Sequence, residues 1–515
     1  MAQRERWHSR TAFIMAAVGS AIGLGNVWRF PGVAFNNGGG AFFIPYFIAL
    51  LTAGIPLMIV EYGLGSRFQG SAPKAYKRLG KNYEWIGWWT VLVGLGISFY
   101  YCVILAWSWQ YCWECTKGIF DSTLPWETGK AGEYFAKDVL NRTPPPTDAT
   151  AVDFGEFNFP AVIGLAATWI VIYFCIAKGA HRVGKVVMFT VPLPLIILVL
   201  LALRGLTLPG SMDGLAYYLA PDWGKLADPD TWIAAYGQVF FSLSVGWGIL
   251  IAYASFRPRN SDVVNNAYMT SFANCGFSFL AGFAVFSTLG YLGVAMNQPI
   301  ADLQTTSFGL AFTSYPTAVE NFDMAVSLQA LLGLGFFVML LLLGIDSAFS
   351  IVEAVATAMK DKFGTKREVI VITLCATGFL MGLFFCWGSG LWFLDIVDKY
   401  LTDYGLTLVA LVQCVLIAWV IPKSKFDALQ RDVNERSEIR TGVMWRISLK
   451  IITPVVLSVI FVLAFLNLLE EGYGGYPRTS LILFGVIPAG LVFLLAFVLQ
   501  TVKGRGEMDH EEPLE

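Results

Sequence analysis

The sequence predicts an all-α membrane protein with twelve transmembrane helices, of which the first and the sixth are broken at mid-membrane. Composition is the first reason. The 515 residues are 56% hydrophobic and 14% charged, with a mean hydropathy of +0.61, which excludes an ordinary soluble protein. The second reason is that twelve apolar segments reach the roughly 20 residues that a span requires. The third is that glycines and polar residues interrupt two of these segments.

The first apolar segment has no small-residue cleavage site, so we predict a span there and not a cleaved signal. With the roughly 20-residue requirement for a span, the predicted spans lie at about 11–35, 40–65, 85–113, 160–177, 185–204, 231–256, 263–295, 326–358, 368–387, 391–420, 443–468 and 479–502.

Basic residues collect before the first span and in the even-numbered loops, whereas the odd-numbered loops carry acidic residues. Examples of the basic group are Arg6, Arg10, Arg67, Lys360 and Arg440. By the positive-inside rule both termini are cytoplasmic, which predicts a multi-pass protein of the plasma (inner) membrane. The net charge of −2 gives no information about partners. The lipid bilayer is a predicted partner, and nucleic acid is not.

The segment Gly19–Pro31 interrupts the first span with glycines, Asn26 and Arg29. In hydrocarbon every backbone N–H and C=O needs a partner, so a helix breaks at mid-depth where the freed groups are used. Carbonyl oxygens suit small dehydrated cations, and a helix N-terminus suits a carboxylate. This is the design of a secondary transporter. A helix kinked by glycines for packing alone is the alternative.

Span six repeats this pattern over residues 240–248, with two serines and two glycines at mid-depth. Two broken helices, each first in a set of five spans, predict inverted repeats with a binding site at their interface. The predicted single transmembrane domain, 1–515, therefore contains a first repeat at 11–204 and a second at 231–420. Two additional helices follow at 443–502.

Most of the eight cysteines lie inside predicted spans, where they are expected to be small apolar core residues. Cys112 and Cys115 form a CxxC pair at the outer end of span three, but no histidine is near, so a metal site there is only an alternative. No nucleotide-binding loop or nucleophile motif occurs. The sequence does not predict an enzyme.

Several long motifs resemble the neurotransmitter:sodium symporter family. They are the segments 23–31 (GLGNVWRFP), 37–42 (NGGGAF), Gly184–Val187 followed by Pro194, and 309–316 (GLAFTSYP). The similarity is strong over about 4–398 and weaker beyond. It implies a leucine-transporter-like fold of five plus five inverted helices, with spans eleven and twelve outside the repeat.

By that resemblance the chain binds two sodium ions. The first site would combine side chains, a main-chain carbonyl and the substrate carboxylate, and its residues are Ala21, Asn26, Ser242 and Asn274. The second would combine carbonyls, a carboxylate and a hydroxyl, from Gly19, Ile22, Leu343, Asp346 and Ser347. An aspartate inside an apolar span is costly unless it is paired, and a cation removes that cost. Hydrogen bonds from neighbouring hydroxyls to Asp346 are the alternative.

A chloride site is also implied. Ser278 stands four residues after Asn274, where the family's bacterial leucine transporter has a glutamate, and no carboxylate occurs between Asp262 and Asp302. Sodium then needs another balancing charge at low dielectric. The chloride-dependent animal members use five polar residues, which this chain matches with Tyr46, Gln238, Ser242, Asn274 and Ser278. Glu61 in span two is the competing source of negative charge.

The substrate pocket implied by the resemblance consists of Ser20, Ala21, Gly23, Leu24, Gly25, Ile97, Tyr101, Phe241, Ser242, Ser244, Trp247, Ser347 and Ile351. Gly23 replaces the aspartate of monoamine transporters, which leaves room for a substrate carboxylate, and Tyr101 would hydrogen-bond that carboxylate. Trp247 matches the glycine transporters and reduces pocket volume, so glycine or alanine is favoured. GABA, taurine, or a larger hydrophobic or aromatic amino acid admitted by a displaced indole are alternatives.

Two charged pairs would form the gates. Arg29 with Asp398 would close the outer side, and Arg4 with Asp361 the inner side. Phe256 departs from the family pattern, because the leucine transporter has a tyrosine there. Span five, with Gly184 and Pro194, would unwind near the cytoplasm.

The sequence thus predicts a sodium-coupled, chloride-dependent importer of a small amino acid that works by alternating access. A non-transporting amino-acid-binding protein of the same fold is one alternative. A proton-coupled permease is another, which the intact set of sodium-site residues disfavours. Nothing in the sequence indicates an oligomeric state.

Overall fold

The computed structural model describes residues 5–127, 129–145, 153–300, 303, 307–506 and 508. Among these residues every secondary-structure element longer than an isolated β-bridge is a helix. The predicted all-α class is therefore confirmed.

The helices that correspond to the predicted spans are labelled α1 to α14. They are Arg10–Ala21, Leu24–Asn36, Gly40–Phe68, Lys81–Asp121, Phe159–Ile176, Ala180–Leu206, Pro229–Ser242, Ile249–Ser255, Val264–Met296, Val326–Phe363, Arg367–Phe385, Gly390–Val420, Val443–Glu471 and Arg478–Thr501.

Within the described residues, ten of these helices are long and apolar enough to cross a membrane by themselves, and the bent pair α1–α2 makes an eleventh span. Helices α7 and α8 together correspond to predicted span six. The total of twelve spans stays a prediction, since it requires α7 and α8 to form one span.

Helix α4 lies at the centre of the bundle, packed along α10. In its most apolar 18-residue stretch 78% of the residues are buried, against 17% in α13 and in α14. Since lipid is as apolar as a protein core, peripheral helices keep apolar side chains on their outer surfaces. Residues predicted for the pocket lie on α4 and α10, so they lie in the protein interior.

The first predicted span is broken where the sequence indicates. Helix α1 ends at Ala21, and Ile22 (φ −82°, ψ 107°) and Gly23 (φ −132°, ψ −166°) are extended before α2 begins at Leu24. The axes of α1 and α2 differ by 64°. Extended residues end the helical hydrogen-bond ladder, so carbonyl and N–H groups become available in the middle of the span.

The sixth predicted span is broken as well. Helix α7 ends at Ser242 and α8 begins at Ile249. Between them Ser244, Gly246 and Gly248 have positive φ values of 53°, 87° and 73°. A right-handed helix cannot continue through left-handed residues, and only glycine adopts them without steric cost. This confirms the second predicted break.

Two hydrogen bonds stabilise the α7–α8 break. The Ser244 hydroxyl donates to the Ser20 carbonyl at 3.0 Å, which offsets the strain of a non-glycine residue in the left-handed region and joins the two breaks. The backbone N–H of Gly246 donates to Glu61 Oε1 on α3 at 2.9 Å. The broken backbone is therefore paired with specific partners in α1 and α3.

Gly184 lies within the regular helical part of α6, and the helix is interrupted at Val191, just before Pro192. Proline has no N–H, so Pro192 and Pro194 each leave a carbonyl of the preceding turn without its helical partner. The predicted unwinding near the cytoplasm stays a prediction.

The two long connecting segments both contain helix. Helix α4 extends into the predicted outer loop as far as Asp121, and a short helix, Ala131–Tyr134, follows. The segment between α12 and α13 contains the helix Lys423–Arg436, in which Phe426 and Leu429 are buried. That helix is amphipathic.

Candidate functional site

A cavity of about 310 Å³ lies where the α1–α2 and α7–α8 breaks face α4 and α10. Every residue that the sequence predicts for the substrate pocket lines this cavity. The residues come from four segments that are far apart in the chain. The tertiary structure therefore assembles the whole predicted pocket at the two helix breaks.

Four buried polar side chains meet beside the first break. Asn26 Nδ2 donates to Asn274 Oδ1 at 2.8 Å and to Ser278 Oγ at 2.7 Å, and Asn274 Nδ2 donates to Ser242 Oγ at 2.7 Å. Asn26 Oδ1 accepts from the Gly23 N–H at 2.8 Å. These contacts join the side chains predicted for the first sodium site, and they include Ser278 of the predicted anion site. The carbonyl of Ala21, the remaining predicted ligand, ends α1 at the edge of the same cavity.

The carboxylate of Asp346 on α10 is buried, and neither of its oxygens has a hydrogen-bond partner among the described residues. A Cβ atom on Gly19 would lie 3.1 Å from Asp346 Oδ2, so the α1 backbone comes close to the carboxylate. The Ser347 hydroxyl lies 3.5 Å from the Ser20 carbonyl. A buried unpaired carboxylate is costly, and a cation held here would remove that cost. The Thr190 hydroxyl on α6 is close to this carboxylate but donates to the Val186 carbonyl at 3.2 Å, and a hydrogen bond from such a hydroxyl stays the alternative raised by the sequence.

The other residues predicted for this second site lie around Asp346. Ile22 is the first residue of the α1–α2 break, and Leu343 lies three residues before Asp346 on the same face of α10. Helix α6 adds a neighbour that the sequence did not reveal. A Cβ atom on Gly19 would lie only 2.7 Å from Val191 Cγ2.

The residues predicted to bind chloride lie next to the Asn26 cluster. Gln238 is buried on α7, and neither its amide nitrogen nor its amide oxygen has a partner among the described residues. The buried Tyr46 hydroxyl lies 3.4 Å from Cys275 Sγ and is also close to Ser278. Glu61, the competing source of negative charge, pairs instead with the backbone of the α7–α8 break. The arrangement provides an unused amide N–H group and hydroxyl groups, which are the donors that an anion requires.

The cavity wall also contains two unused hydrogen-bond donors. The Tyr101 hydroxyl and Trp247 Nε1 are buried and have no partner within the described part of the chain. A Cβ atom on Gly23 would lie 2.8 Å from Ser347 Oγ and 3.4 Å from the Tyr101 hydroxyl. Any larger residue at position 23 would therefore fill the space between them. The indole of Trp247 packs edge-on against Phe241, with ring centroids 6.5 Å apart.

The predicted outer pair, Arg29 and Asp398, both line the cavity but form no ion pair with each other. The Arg29 guanidinium lies 4.3 Å from the centroid of the Phe241 ring. Asp398 accepts from the Tyr100 hydroxyl at 2.5 Å and from the Thr402 hydroxyl at 2.8 Å. In this conformation each residue has a different partner, and the outer gate formed by the two stays a prediction. The sequence singled out Tyr101 and missed Tyr100, which also lines the cavity and bonds to Asp398 on α12.

Trp7 closes the opposite end of the bundle. Its indole Nε1 donates to the Tyr253 carbonyl at 2.9 Å, and its backbone N–H donates to the Phe256 carbonyl at 3.2 Å. The Trp7 ring packs edge-on against both aromatic rings, at 5.2 Å and 6.1 Å. Phe256, the residue that departs from the family pattern, thus contributes through packing and through its carbonyl oxygen. The central cavity extends toward Asp398 and is sealed toward Trp7.

The predicted inner pair can be described only for one partner, since Arg4 lies outside the described residues. Asp361 Oδ2 accepts from the backbone N–H of Ser71 at 2.8 Å. This contact connects the end of α10 to the short helix Ala72–Leu79. The pairing of Asp361 with Arg4 stays a prediction.

Glu5 makes a further connection at this end that the sequence did not predict. Its carboxylate lies 3.0 Å from Lys360 Nζ and 3.8 Å from an Arg367 guanidinium nitrogen. Partial burial raises the pKa of Glu5, but Arg367 and Lys360 together outweigh this and hold the pKa below its ordinary value. The chain before α1 is therefore bound to the ends of α10 and α11 through a charged carboxylate.

The CxxC pair lies near the outer end of α4. Cys112 and Cys115 are buried thiols without a disulfide, and no group of three or more His, Cys, Asp or Glu residues that could hold a metal occurs in the described ranges. The pair belongs to the packing of α4.

Comparison with known proteins agrees with this geometry. The model of the sodium:neurotransmitter symporter family matches residues 4–131 and 127–503. A sodium-dependent transporter of Methanocaldococcus jannaschii is 38% identical over 97% of this chain and 98% of its own length. A sodium-dependent dopamine transporter of Caenorhabditis elegans is 32% identical over 99% of this chain and 89% of its own.

A third relative, the sodium- and chloride-dependent GABA transporter 2 of Bos taurus, is 34% identical over 82% of this chain and 74% of its own. The chain belongs to the sodium:neurotransmitter symporter family. It is a multi-span, sodium-dependent membrane transporter and not an enzyme.

Proposed function

We propose that this transporter imports a small amino acid, with glycine or alanine favoured, by alternating access coupled to sodium and dependent on chloride. The observation that carries the proposal is the Asp346 carboxylate. It is buried without a partner in the described structure, beside the α1 backbone at the edge of a cavity formed by two helix breaks. Such a site is costly when empty and favourable when it holds a cation. Cation binding is therefore coupled to the packing of α1 against α10.

Two sodium ions fit the residues that surround the cavity. The second site would use the carbonyls of Gly19, Ile22 and Leu343 with the side chains of Asp346 and Ser347. In the first site a rotation of the Asn26 amide by half a turn would direct Oδ1, now bonded to Gly23, toward Asn274 and Ser242. Broken helices supply such oxygen ligands in secondary transporters.

Chloride would bind between Tyr46, Gln238, Ser242, Asn274 and Ser278. The unpartnered amide of Gln238 supports this proposal, because a buried polar group without a partner is costly. The anion would balance sodium at low dielectric, since Glu61 is engaged by the backbone of Gly246. The chloride-dependent GABA transporter among the relatives is consistent with this role.

The substrate carboxylate would lie between the first sodium ion and the Tyr101 hydroxyl, in the space that Gly23 leaves open. Trp247 would limit the side chain to a small one, since overfilling a packed site costs free energy. Two of the relatives are a dopamine transporter and a GABA transporter, and GABA, taurine and larger hydrophobic or aromatic amino acids are the second candidates. A displaced Trp247 indole would be required for the largest of these.

Alternating access would use the two ends of the bundle in turn. Closure above the substrate would bring Arg29 from the Phe241 ring toward Asp398, and opening below would separate Trp7 from Tyr253 and Phe256. The breaks would act as hinges between inverted repeats 11–204 and 231–420, with 443–502 outside them. The distribution of Lys and Arg supports the proposal of cytoplasmic termini in the plasma membrane, and in that orientation Trp7 would lie at the cytoplasmic face.

Uptake of labelled glycine and alanine into proteoliposomes tests the proposal. We expect accumulation with an inward sodium gradient, loss of accumulation when choline replaces sodium, and a strong decrease when gluconate replaces chloride. A proton ionophore should have no effect if sodium alone drives uptake. Accumulation that persists without sodium would contradict the coupling.

A second experiment distinguishes transport from binding alone. Counterflow should exchange internal unlabelled substrate for external labelled substrate. A protein that binds amino acids in sodium, by thermal shift, but shows neither uptake nor counterflow would be a non-transporting relative. A thermal-shift panel of amino acids, with GABA and taurine included, would rank the substrates.

A further inference from the structure

A second, larger space lies away from the transport pathway. A groove of about 630 Å³ runs between α4, α12, α13 and α14. We refer to it as the α14 groove. Apolar and aromatic residues make up nearly all of its walls, including Trp89, Tyr400, Tyr404, Phe461, Phe465 and Phe493. Its volume is about twice the 310 Å³ of the central cavity.

The α14 groove faces the bilayer. Leu469 and Ile482, on its two outer walls, are 56% and 50% exposed although they are large and apolar. The inner wall is closed by Trp89 and Phe493, whose ring centroids are 5.0 Å apart. In a membrane protein such exposed apolar walls meet lipid chains and not water.

Glycine keeps the groove open in its middle. An added Cβ atom on Gly490 would meet nothing within 4 Å, although Gly490 lines the groove. One turn earlier, Gly485 packs so closely on the Tyr400 ring that a Cβ atom would lie 2.3 Å from it. The two glycines therefore do different things. Gly485 allows α14 to contact α12, and Gly490 leaves free volume.

One charge lies at the end of the groove. Arg478, the first residue of α14, is the only ionisable Asp, Glu, Lys or Arg among the described residues that line it. The side chain is exposed and forms no ion pair with any described residue. From Arg478 to Phe493 the helix extends for about 22 Å at 1.5 Å per residue. A cation thus lies at interface depth above a long apolar channel.

We propose that the α14 groove binds the acyl chain of an anionic glycerophospholipid whose headgroup phosphate contacts Arg478. Guanidinium pairs with phosphate through several charge-assisted hydrogen bonds, and a hydrocarbon chain matches the aromatic walls. This site is separate from the ion and substrate sites. Tyr400 and Tyr404 lie on α12, which also carries the gate residue Asp398. The bound acyl chain would therefore pack against the helix of the outer gate.

Native mass spectrometry of the full-length protein tests this proposal. Purified, delipidated protein is equilibrated in micelles that contain equal amounts of phosphatidylglycerol and phosphatidylcholine of the same chain length. The native chain should retain one lipid, with phosphatidylglycerol favoured about five-fold, the preference expected from one basic side chain near an anionic headgroup. Arg478→Gln should abolish the preference while retaining a lipid, and Gly490→Leu should abolish retention of both lipids.

Matched controls separate the groove from general effects. Gly276→Leu adds the same side chain at another open, exposed glycine, on α9, and Lys130→Gln removes another exposed cation. Both should retain lipid as the native chain does. Unchanged thermal unfolding of Gly490→Leu shows that the variant is folded. The proposal would be overturned if Gly490→Leu retained as much lipid as the native chain. It would also be overturned if the native chain formed a lipid-free dimer that Gly490→Leu disrupts, because the groove would then be a contact between two copies.

Discussion

The carboxylate of Glu61 accepts a hydrogen bond from the backbone N–H of Gly246 at 2.9 Å. Glu61 is fully buried on α3, and Gly246 lies in the α7–α8 break with a left-handed φ of 87°. At a broken helix this N–H has no helical partner. Glu61 therefore stabilises the broken form of the span and thereby the shape of the cavity.

The first prediction concerns this hydrogen bond. Glu61→Ala leaves the Gly246 N–H without an acceptor and should destabilise the fold by about 1–3 kcal/mol. Glu61→Gln keeps an acceptor oxygen and should lose less. Thermal unfolding of the detergent-solubilised variants measures the difference. If the two variants unfold alike, the negative charge of Glu61 matters and the acceptor oxygen does not.

The second prediction concerns sodium binding at Asp346. Sodium should raise the unfolding temperature of the native chain, by an amount that corresponds to about 2.7 kcal/mol at a concentration 100 times the dissociation constant. Asp346→Asn removes the charge that attracts the cation and should lose most of this stabilisation. Asp213→Asn makes the same change at an exposed position and should keep it. An Asp346→Asn protein with the full sodium response would exclude this carboxylate as a ligand.

The third prediction concerns the balancing charge at Ser278, whose hydroxyl lies 2.7 Å from Asn26 Nδ2. Ser278→Glu introduces a fixed negative charge there and should make uptake largely independent of chloride. Ser278→Ala removes the hydroxyl without adding charge, so uptake should be weaker but still chloride-dependent. Uptake is compared in chloride and in gluconate. Full chloride dependence of Ser278→Glu would place the anion elsewhere.

The fourth prediction concerns pocket volume. Trp247→Ala should admit bulkier amino acids, because it removes the indole beside Phe241. Leucine and phenylalanine should then compete with labelled glycine at least about ten-fold better, since each methylene accommodated in a pocket contributes about 1–3 kcal/mol. Trp223→Ala, at an exposed tryptophan outside the cavity, should not alter the competition profile. An unchanged profile in Trp247→Ala would remove the volume argument.

The fifth prediction compares two neighbouring tyrosines. Tyr101→Phe removes the unpartnered hydroxyl from the cavity and should raise the KM for substrate with little change in the sodium response. Tyr100→Phe removes the 2.5 Å hydrogen bond to Asp398 and should change the rate of transport more than sodium-dependent binding. Initial uptake rates over a range of substrate concentrations separate the two effects. Identical kinetics would contradict the separate roles.

Much of the site was predictable because its signals are local in the chain. Gly246 and Gly248 marked a break because left-handed backbone favours glycine, and the structure has positive φ at both. Gly19 is one of the glycines that interrupt the first predicted span, and the Asp346 carboxylate lies beside it. In each case the residue type itself restricts the conformation or the environment that it tolerates.

Other features were not predictable, because they depend on which groups compete for a partner. Arg29 and Asp398 have the right charges for a pair, but Arg29 lies over Phe241 and Asp398 bonds to Tyr100. Side-chain orientations decide between such alternatives, and they follow from packing. The roles of Glu5 at the Trp7 end and of Val191 beside Gly19 also required the folded chain.

By itself the sequence determined the membrane class and the two helix breaks, and its resemblance to a known family indicated many of the residues that line the cavity. Hydropathy, span length and glycine placement are properties of short segments, so they can be read without a fold. Only the tertiary structure showed that Glu61 hydrogen-bonds to the backbone of the second break and that Tyr100 hydrogen-bonds to Asp398. The α14 groove is likewise visible only in the folded chain. The physical reason is distance along the chain. Glu61 and Gly246 are 185 positions apart, and no local pattern specifies which of many buried groups meet.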